Sequence, residues 1–186
     1  MAASTATLAD LDGTYTIDPA HSYFGFVARH AMITKVRGSF KEFQGTIEVD
    51  GKDPQNSRAN LTIHAASVDT GNADRDGHLR SNDFFAMDEH PHITFNTTGF
   101  VQTSDDELDL TGDLTIRGVT RPVTIPFTFG GIAKDPMGNI RAGFEGAVTV
   151  NRKDFALTWN AALETGGLLV GDKVKLEIEI SAVKAA

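Results

Sequence analysis

In the stretch ELDLTGDLTIRG, Leu108, Leu110, Gly112, Leu114 and Ile116 fall on every second position, and Glu107, Asp109, Thr111, Asp113, Thr115 and Arg117 fill the positions between. A helix, with its period of about 3.6, would scatter these apolar residues around its axis. An extended strand puts all of them on one face and the polar ones on the other. The pattern recurs along the chain. RPVTIPFTF aligns Val123, Ile125, Phe127 and Phe129; FEGAVTV aligns Phe144, Gly146, Val148 and Val150; KVKLEIEISAV aligns Val174, Leu176, Ile178 and Ile180. Earlier come SYFGFVARH with Phe24, Phe26 and Ala28, then TKVRGSFKEF, GTIEVD, RANLTIHAA with Leu61 and Ile63, and HITFNTTGFV with Ile93 and Phe95. Such half-apolar strands suit an antiparallel sheet with one wet face. Turn signals in VDGKDPQNS, TSDDE, AKDPMGN and TGGLLVGD, with a tight connection at GVTR, space them as in an all-β barrel or sandwich.

One segment breaks the alternation. DTGNADRDGHLRSNDFF reads as a single short helix inserted between strands: Asp69, Thr70 or Asn72 can cap it, and Arg75, Leu79 and Asp83 recur at helical spacing. The 186 residues suffice for one domain with a sizeable core. Residues 14–186 are expected to form it, preceded by a poorly ordered extension over residues 1–13.

A net charge of -8 argues against a nucleic-acid partner, which needs a basic stripe, and counts against docking on anionic lipid headgroups. The absence of cysteine removes disulfides, thiol catalysis and zinc-thiolate sites. No apolar run approaches the roughly 20 residues of a membrane span, so no transmembrane segment is expected. MAASTATLADLDG has neither a basic start nor a long apolar stretch; read from Met1 it predicts a cytoplasmic protein, and a periplasmic or secreted one if a leader was removed.

The inward phase mixes phenylalanines with Ala59, Ala65, Gly112 and Gly146. Small residues there either leave a lumen or let strands bend and neighbouring rings pack. A lumen would favour lipid: about 0.8 kcal/mol per buried CH2 gives roughly 3–4 kcal/mol per five-carbon isoprene unit.

The pieces YTIDPAHSYFGFVARH, KVRGSFKEFQGTI, ASVDTGNADRDGHLRSNDFF, HPHITF, LTGDLTIRGVTRPVTIPF, FEGAVTVNRKDFAL and VGDKVKLEIEI resemble those of the YceI-like family, from about Tyr15 to Val183. The resemblance implies an antiparallel lipocalin-like β-barrel of about eight strands, binding a polyisoprenoid or related long amphiphile, with homodimers in the family and no uniform catalytic residues. Many relatives are exported, and this chain shows no leader.

The wall and plug are expected to comprise Phe24, Phe26, Phe40, Ile47, Leu61, Ile63, Leu79, Phe84, Phe85, Phe95, Leu114, Ile116, Phe127, Phe144 and Trp159. Inward phase is open by one residue wherever glycine introduces a bulge. Arg152 and Asp154 in NRKDFALTW, with Arg37 and His30, are candidates for a polar head: arginine's fork of donors suits a phosphate, and histidine a carbonyl or hydroxyl. Otherwise these charges face water. His78 could pair with Asp74 four residues earlier as an acid/base couple, although bracing of the helix accounts better for a segment with no nucleophile. His90 and His92 have two-histidine metal spacing, but solvation of two histidines entering an exposed strand is the better account and no metal is expected. Asp18, His21 and Ser22 do not make a triad, because adjacent strand residues point to opposite faces. The function expected is lipid binding for transport, storage or protection, with no cofactor other than a bound isoprenoid or quinone-like lipid. The alternatives are an enzyme acting on such a lipid through His78 or His30, and a ligand-free interaction module.

Overall fold

The computed structural model describes residues 6–186. Its strands are β1 (Gly13–Ile17), β2 (Tyr23–His30), β3 (Thr34–Phe40), β4 (Phe43–Val49), β5 (Arg58–His64), β6 (Val68–Asp69), β7 (His92–Gln102), β8 (Glu107–Ile116), β9 (Val119–Lys134), β10 (Ile140–Asn151) and β11 (Val170–Lys184). All pair antiparallel. Three staves of the barrel are interrupted. β11 pairs with β1 (Ile17 opposite Ala182) and then with β2 (Tyr23 opposite Glu179), so β1 and β2 form one stave broken at Asp18–Ser22, where Pro19 has no N–H to donate. β3 and β4 form the next, and β5 and β6 a third, broken by the 3-10 turn Ala65–Ser67. Five uninterrupted strands complete a closed eight-stave meander, which leaves few free edges.

The period-two reading fixes the interior. Leu108, Leu114, Ile116, Ile125, Phe127 and Phe129 are buried, while Thr111 pairs with Thr124 and Thr115 with Thr120 on the outside. The tight connection is two residues earlier than GVTR suggests. Arg117 and Gly118 turn the chain with φ of 50° and 73°, and Val119 already belongs to β9. Register shifts occur in β7 between Thr97 and Gly99, and in the β9–β10 pair between Gly143 and Phe144. The first lets Phe95 and Phe100, an odd number of residues apart, both face inward.

The β7–β8 end is covered by the N-terminal segment. Leu8 and Leu11 are buried around a single 3-10 turn, and Leu8 N–H donates to Asp105 O. Residues 1–5 lie outside the described residues. The helix α1 (Ala73–Arg80) lies at the opposite end, between β6 and β7.

The stave break at Asp18 is fastened by an ion cluster. Arg141 donates from Nη1 to Asp18 (2.7 Å) and from Nε to Asp135 (2.8 Å), and His21 Nδ1 lies 2.8 Å from Asp18. Arg141, then His21, pulls the Asp18 carboxyl down to about 2; Asn139 and Arg141 hold Asp135 lower still. Carboxylates depressed on folding stabilise fully above their unfolded pKa near 3.9, and this is lost as pH falls through the folded value. Thermal melts should therefore lose stability between about pH 4 and pH 2. Asp18→Asn should melt lower at neutral pH and vary less across that window; an acid profile matching the parent's would refute the assignment.

Candidate ligand-binding cavity

The barrel is hollow. A cavity of about 260 Å³ runs between the buried N-terminal segment and α1, with walls that are almost wholly apolar. Dry apolar cavities of about 150 Å³ already take up benzene. An unfilled apolar void costs about 24 cal/mol per Å³, so this one stands roughly 6 kcal/mol above the same barrel filled.

Phe24, Phe26 and Phe40 line it from the first two staves, with Ile47, Leu61, Ile63 and Phe95 beside them. Leu114, Ile116, Phe127 and Phe144 come from β8 to β10, and Leu79, Phe84 and Phe85 from the helical insertion. Small residues serve both roles open to them. A side chain at Gly112 would strike Phe95, and one at Gly146 would strike Phe127, so those glycines seat rings; Ala28 and Ala59 face the void.

The insertion is a braced plug. Asn72 caps α1 by accepting from Arg75 N–H (3.0 Å). Buried Asp76 accepts from the Thr70 N–H (2.8 Å) and hydroxyl (2.6 Å). Arg80 Nε donates to Ala66 O and Arg117 Nη1 to Phe84 O, both at 2.8 Å. The helix ends at Arg80, so Asp83 falls in the following turn and not on the helical face. These bonds aim Leu79, Phe84 and Phe85 at the lumen, where Phe85 packs against Phe40 and Phe40 against Phe26.

Several sequence expectations are corrected by geometry. His78 pairs with Asp83 (2.8 Å) instead of Asp74, and its ring packs on Phe84 and Trp159 behind the plug. Trp159 thus buttresses Phe84 and is not part of the wall. Arg37 lies opposite Val27, on the face away from Phe26 and Phe40, and points outward. His30 shares the inward parity but is exposed beyond the wall, near the β2–β3 turn. Asp154 is exposed on a 3-10 turn (Arg152–Phe155). Arg152 borders the cavity as expected, but it offers no free fork there and does not face water. It is 4% exposed and donates to the carbonyls of Leu157 (2.6 Å), Trp159 (2.9 Å), Gly171 (2.9 Å) and Val170 (3.3 Å), with Asp172 Oδ1 at 3.8 Å. Burial pushes its pKa down from the usual arginine value and Asp172 opposes that.

The remaining polar motifs separate. His92 stands across from His64 with ring centroids 5.1 Å apart, while His90 packs over Gly118. Ser22 donates to Ser181 O and does not reach His21's ring. Among the described residues no three metal-ligating side chains converge, and no helix is long and apolar enough to cross a membrane.

A family model for the YceI-like domain matches residues 15–182. The chain belongs to the YceI-like family. A UPF0312 protein of Staphylococcus aureus is 42% identical over 164 residues, 88% of this chain and 93% of that protein. Among solved structures, the Campylobacter jejuni YceI protein superposes with a TM-score of 0.73 at 30% identity, covering 85% of this chain and 90% of that one. A polyisoprenoid binding domain from Saccharophagus degradans, implicated in plant cell wall breakdown, gives 0.71 at 18% identity over 92% and 98% of the two chains, which is a likeness of fold.

Sequence reasoning missed part of this YceI-like cavity. Leu8 and Leu11 line it from a segment with no periodicity; Phe155 and Leu157 line it from the β10–β11 connection, where alternation gives no signal, and Val170 from the first residue of β11. Phe100 was hidden by the bulge.

Proposed function

We propose that this protein holds the apolar tail of a long-chain isoprenoid or related amphiphile inside its barrel, for carriage, storage or protection of that lipid. The observation that carries the reading is the open, oil-lined cavity. It has almost nothing polar to recognise, so it selects for hydrocarbon, and a polar head is left outside it. A like-folded domain described as polyisoprenoid-binding supports the ligand class. Each isoprene unit enclosed would gain about 4 kcal/mol gross, set against ordering costs on the order of 10 kcal/mol.

Organic extraction and mass spectrometry of the purified protein should return a stoichiometric long-chain lipid. Delipidated protein should melt roughly 5–10 °C lower than protein holding lipid at a hundred times its Kd, a linkage of about 2.7 kcal/mol. Empty extracts together with melts insensitive to added isoprenoid alcohol would defeat the reading. The enzymatic alternative has little in its favour: His78 is tied to Asp83 and His30 lies beyond the wall. It would return if His78→Ala or His30→Ala left binding intact but abolished a turnover.

A further inference from the structure

Apart from Tyr23 on the flank, the large exposed apolar side chains among the described residues lie towards the barrel's two ends, and the ends differ in charge. At one, Val101 and Met137 lie at or near the β7–β8 and β9–β10 turns, which carry Asp105, Asp106 and Asp135 beside Lys134. At the other, the β2–β3 hairpin raises Met32 (63% exposed) and Ile33 (79% exposed) at its tip. Tyr23 to Phe40 carries Arg29, Lys35 and Arg37, all exposed, and no carboxylate, within a chain of net charge -8. Among the described residues none of the three has an ion-pair partner. The 161–169 loop is tied to the tip by Ala31 N–H donating to Leu169 O (2.6 Å). It adds exposed Leu168 and one acid, Glu164, which leaves the two segments together net positive.

The tip is built against backbone preference. Ile33 N–H donates to His30 O, closing a turn whose central residues, Ala31 and Met32, have φ of 52° and 61°. Two positive φ values in succession favour Asn-Gly. This chain sets a bulky apolar side chain there instead, at a point where it touches water. The position matters too. Ala28 and Val170 line the cavity, and Val170 lies opposite His30 in the ladder. At about 3.3 Å per residue the tip stands roughly 10 Å beyond Ala28 and about 5 Å beyond the level of Val170.

We propose that this hairpin tip, with Leu168, docks on the surface of an anionic lipid bilayer, Met32 and Ile33 entering the headgroup layer while Arg29, Lys35 and Arg37 meet the phosphates. Apolar side chains ringed by basic ones are the pattern of an interfacial anchor. Docking places the end of the cavity against the membrane from which a lipid tail would be drawn. The overall acidity that counts against lipid surfaces then orients the molecule, holding its other end away.

Co-sedimentation with vesicles of phosphatidylcholine and phosphatidylglycerol, against pure phosphatidylcholine, tests this on protein with no lipid in the barrel, so failure of the cavity reading would leave the result interpretable. Binding should require the anionic lipid and weaken with salt. Arg29→Ser with Arg37→Ser should lower partition roughly thirtyfold, at about fivefold per basic residue. Met32→Ser with Ile33→Ser should lower it roughly tenfold or more. Because the chain has no cysteine, a polarity-sensitive dye on Met32→Cys should shift to the blue on vesicles, and one on Met137→Cys should not. Ala31→Asn with Met32→Gly relieves the turn and should melt about 2 °C higher while binding vesicles less, which separates docking from folding. Equal binding by all variants, no preference for anionic lipid, or a change from dimer to monomer in Met32→Ser with Ile33→Ser would overturn the proposal.

Discussion

Leu61→Trp combined with Leu176→Trp should abolish isoprenoid uptake, weakening affinity at least a hundredfold, without unfolding the barrel. Both leucines line the cavity, and both are only partly buried because their free surface faces the void. Overpacking a filled core costs about 1–3 kcal/mol, but here the added indole atoms enter empty space. They should recover part of the roughly 6 kcal/mol that the void represents. The delipidated double variant is thus expected to melt no lower than delipidated parent. Each isoprene unit excluded from the barrel forfeits about 4 kcal/mol, roughly a thousandfold in affinity. Titration with a fluorescent isoprenoid analogue reads the loss, and Val101→Trp, on the exposed outer surface, serves as the control that should bind normally. Parental affinity in the double variant would mean that the tail lies somewhere other than the lumen.

That experiment also bears on how much of the cavity could be read from the chain. Where strands alternate cleanly, the wall was legible. Leu114, Ile116 and Phe127 follow from period two alone, because a strand with one wet face has no other way to bury them. Legibility failed for three physical reasons. Bulges exchange faces, as between Phe95 and Phe100. Non-periodic segments such as Leu8–Leu11 and Phe155–Leu157 reach the lumen through tertiary packing that no local pattern encodes. Polar candidates were harder still, since residue type says what a side chain can bond but not which partner reaches it first. His78 found Asp83 in place of Asp74 once the helix stopped at Arg80 and the chain turned. Asp18 found Arg141, which lies 123 residues away.

Arg152 is the sharpest instance, and its replacement should be the most damaging to stability. Arg152→Leu should cost about 3–5 kcal/mol, lowering the melting temperature by roughly 10–15 °C. Its guanidinium gathers four carbonyls from the two ends of the connection between β10 and β11, a segment with little secondary structure of its own. Leucine keeps the bulk of the stem but leaves those carbonyls without donors. Each buried orphan costs about 1–3 kcal/mol, part of which water recovers where the loop opens. It also removes the guanidinium 3.8 Å from Asp172 Oδ1, an oxygen with no hydrogen bond of its own, and leaves that carboxylate to Lys153 (3.2 Å from Oδ2). Adding Asp172→Asn should therefore restore part of the loss. Arg152→Lys should fall between parent and leucine, since an ammonium keeps the charge but cannot span four acceptors. The two roles open to this arginine predict opposite outcomes. If its fork served a lipid head group, Arg152→Leu would bind lipid poorly and melt like the parent. If it staples the loop, as its four carbonyl partners require, the variant melts early, and the fraction still folded at low temperature takes up isoprenoid with near-parental affinity.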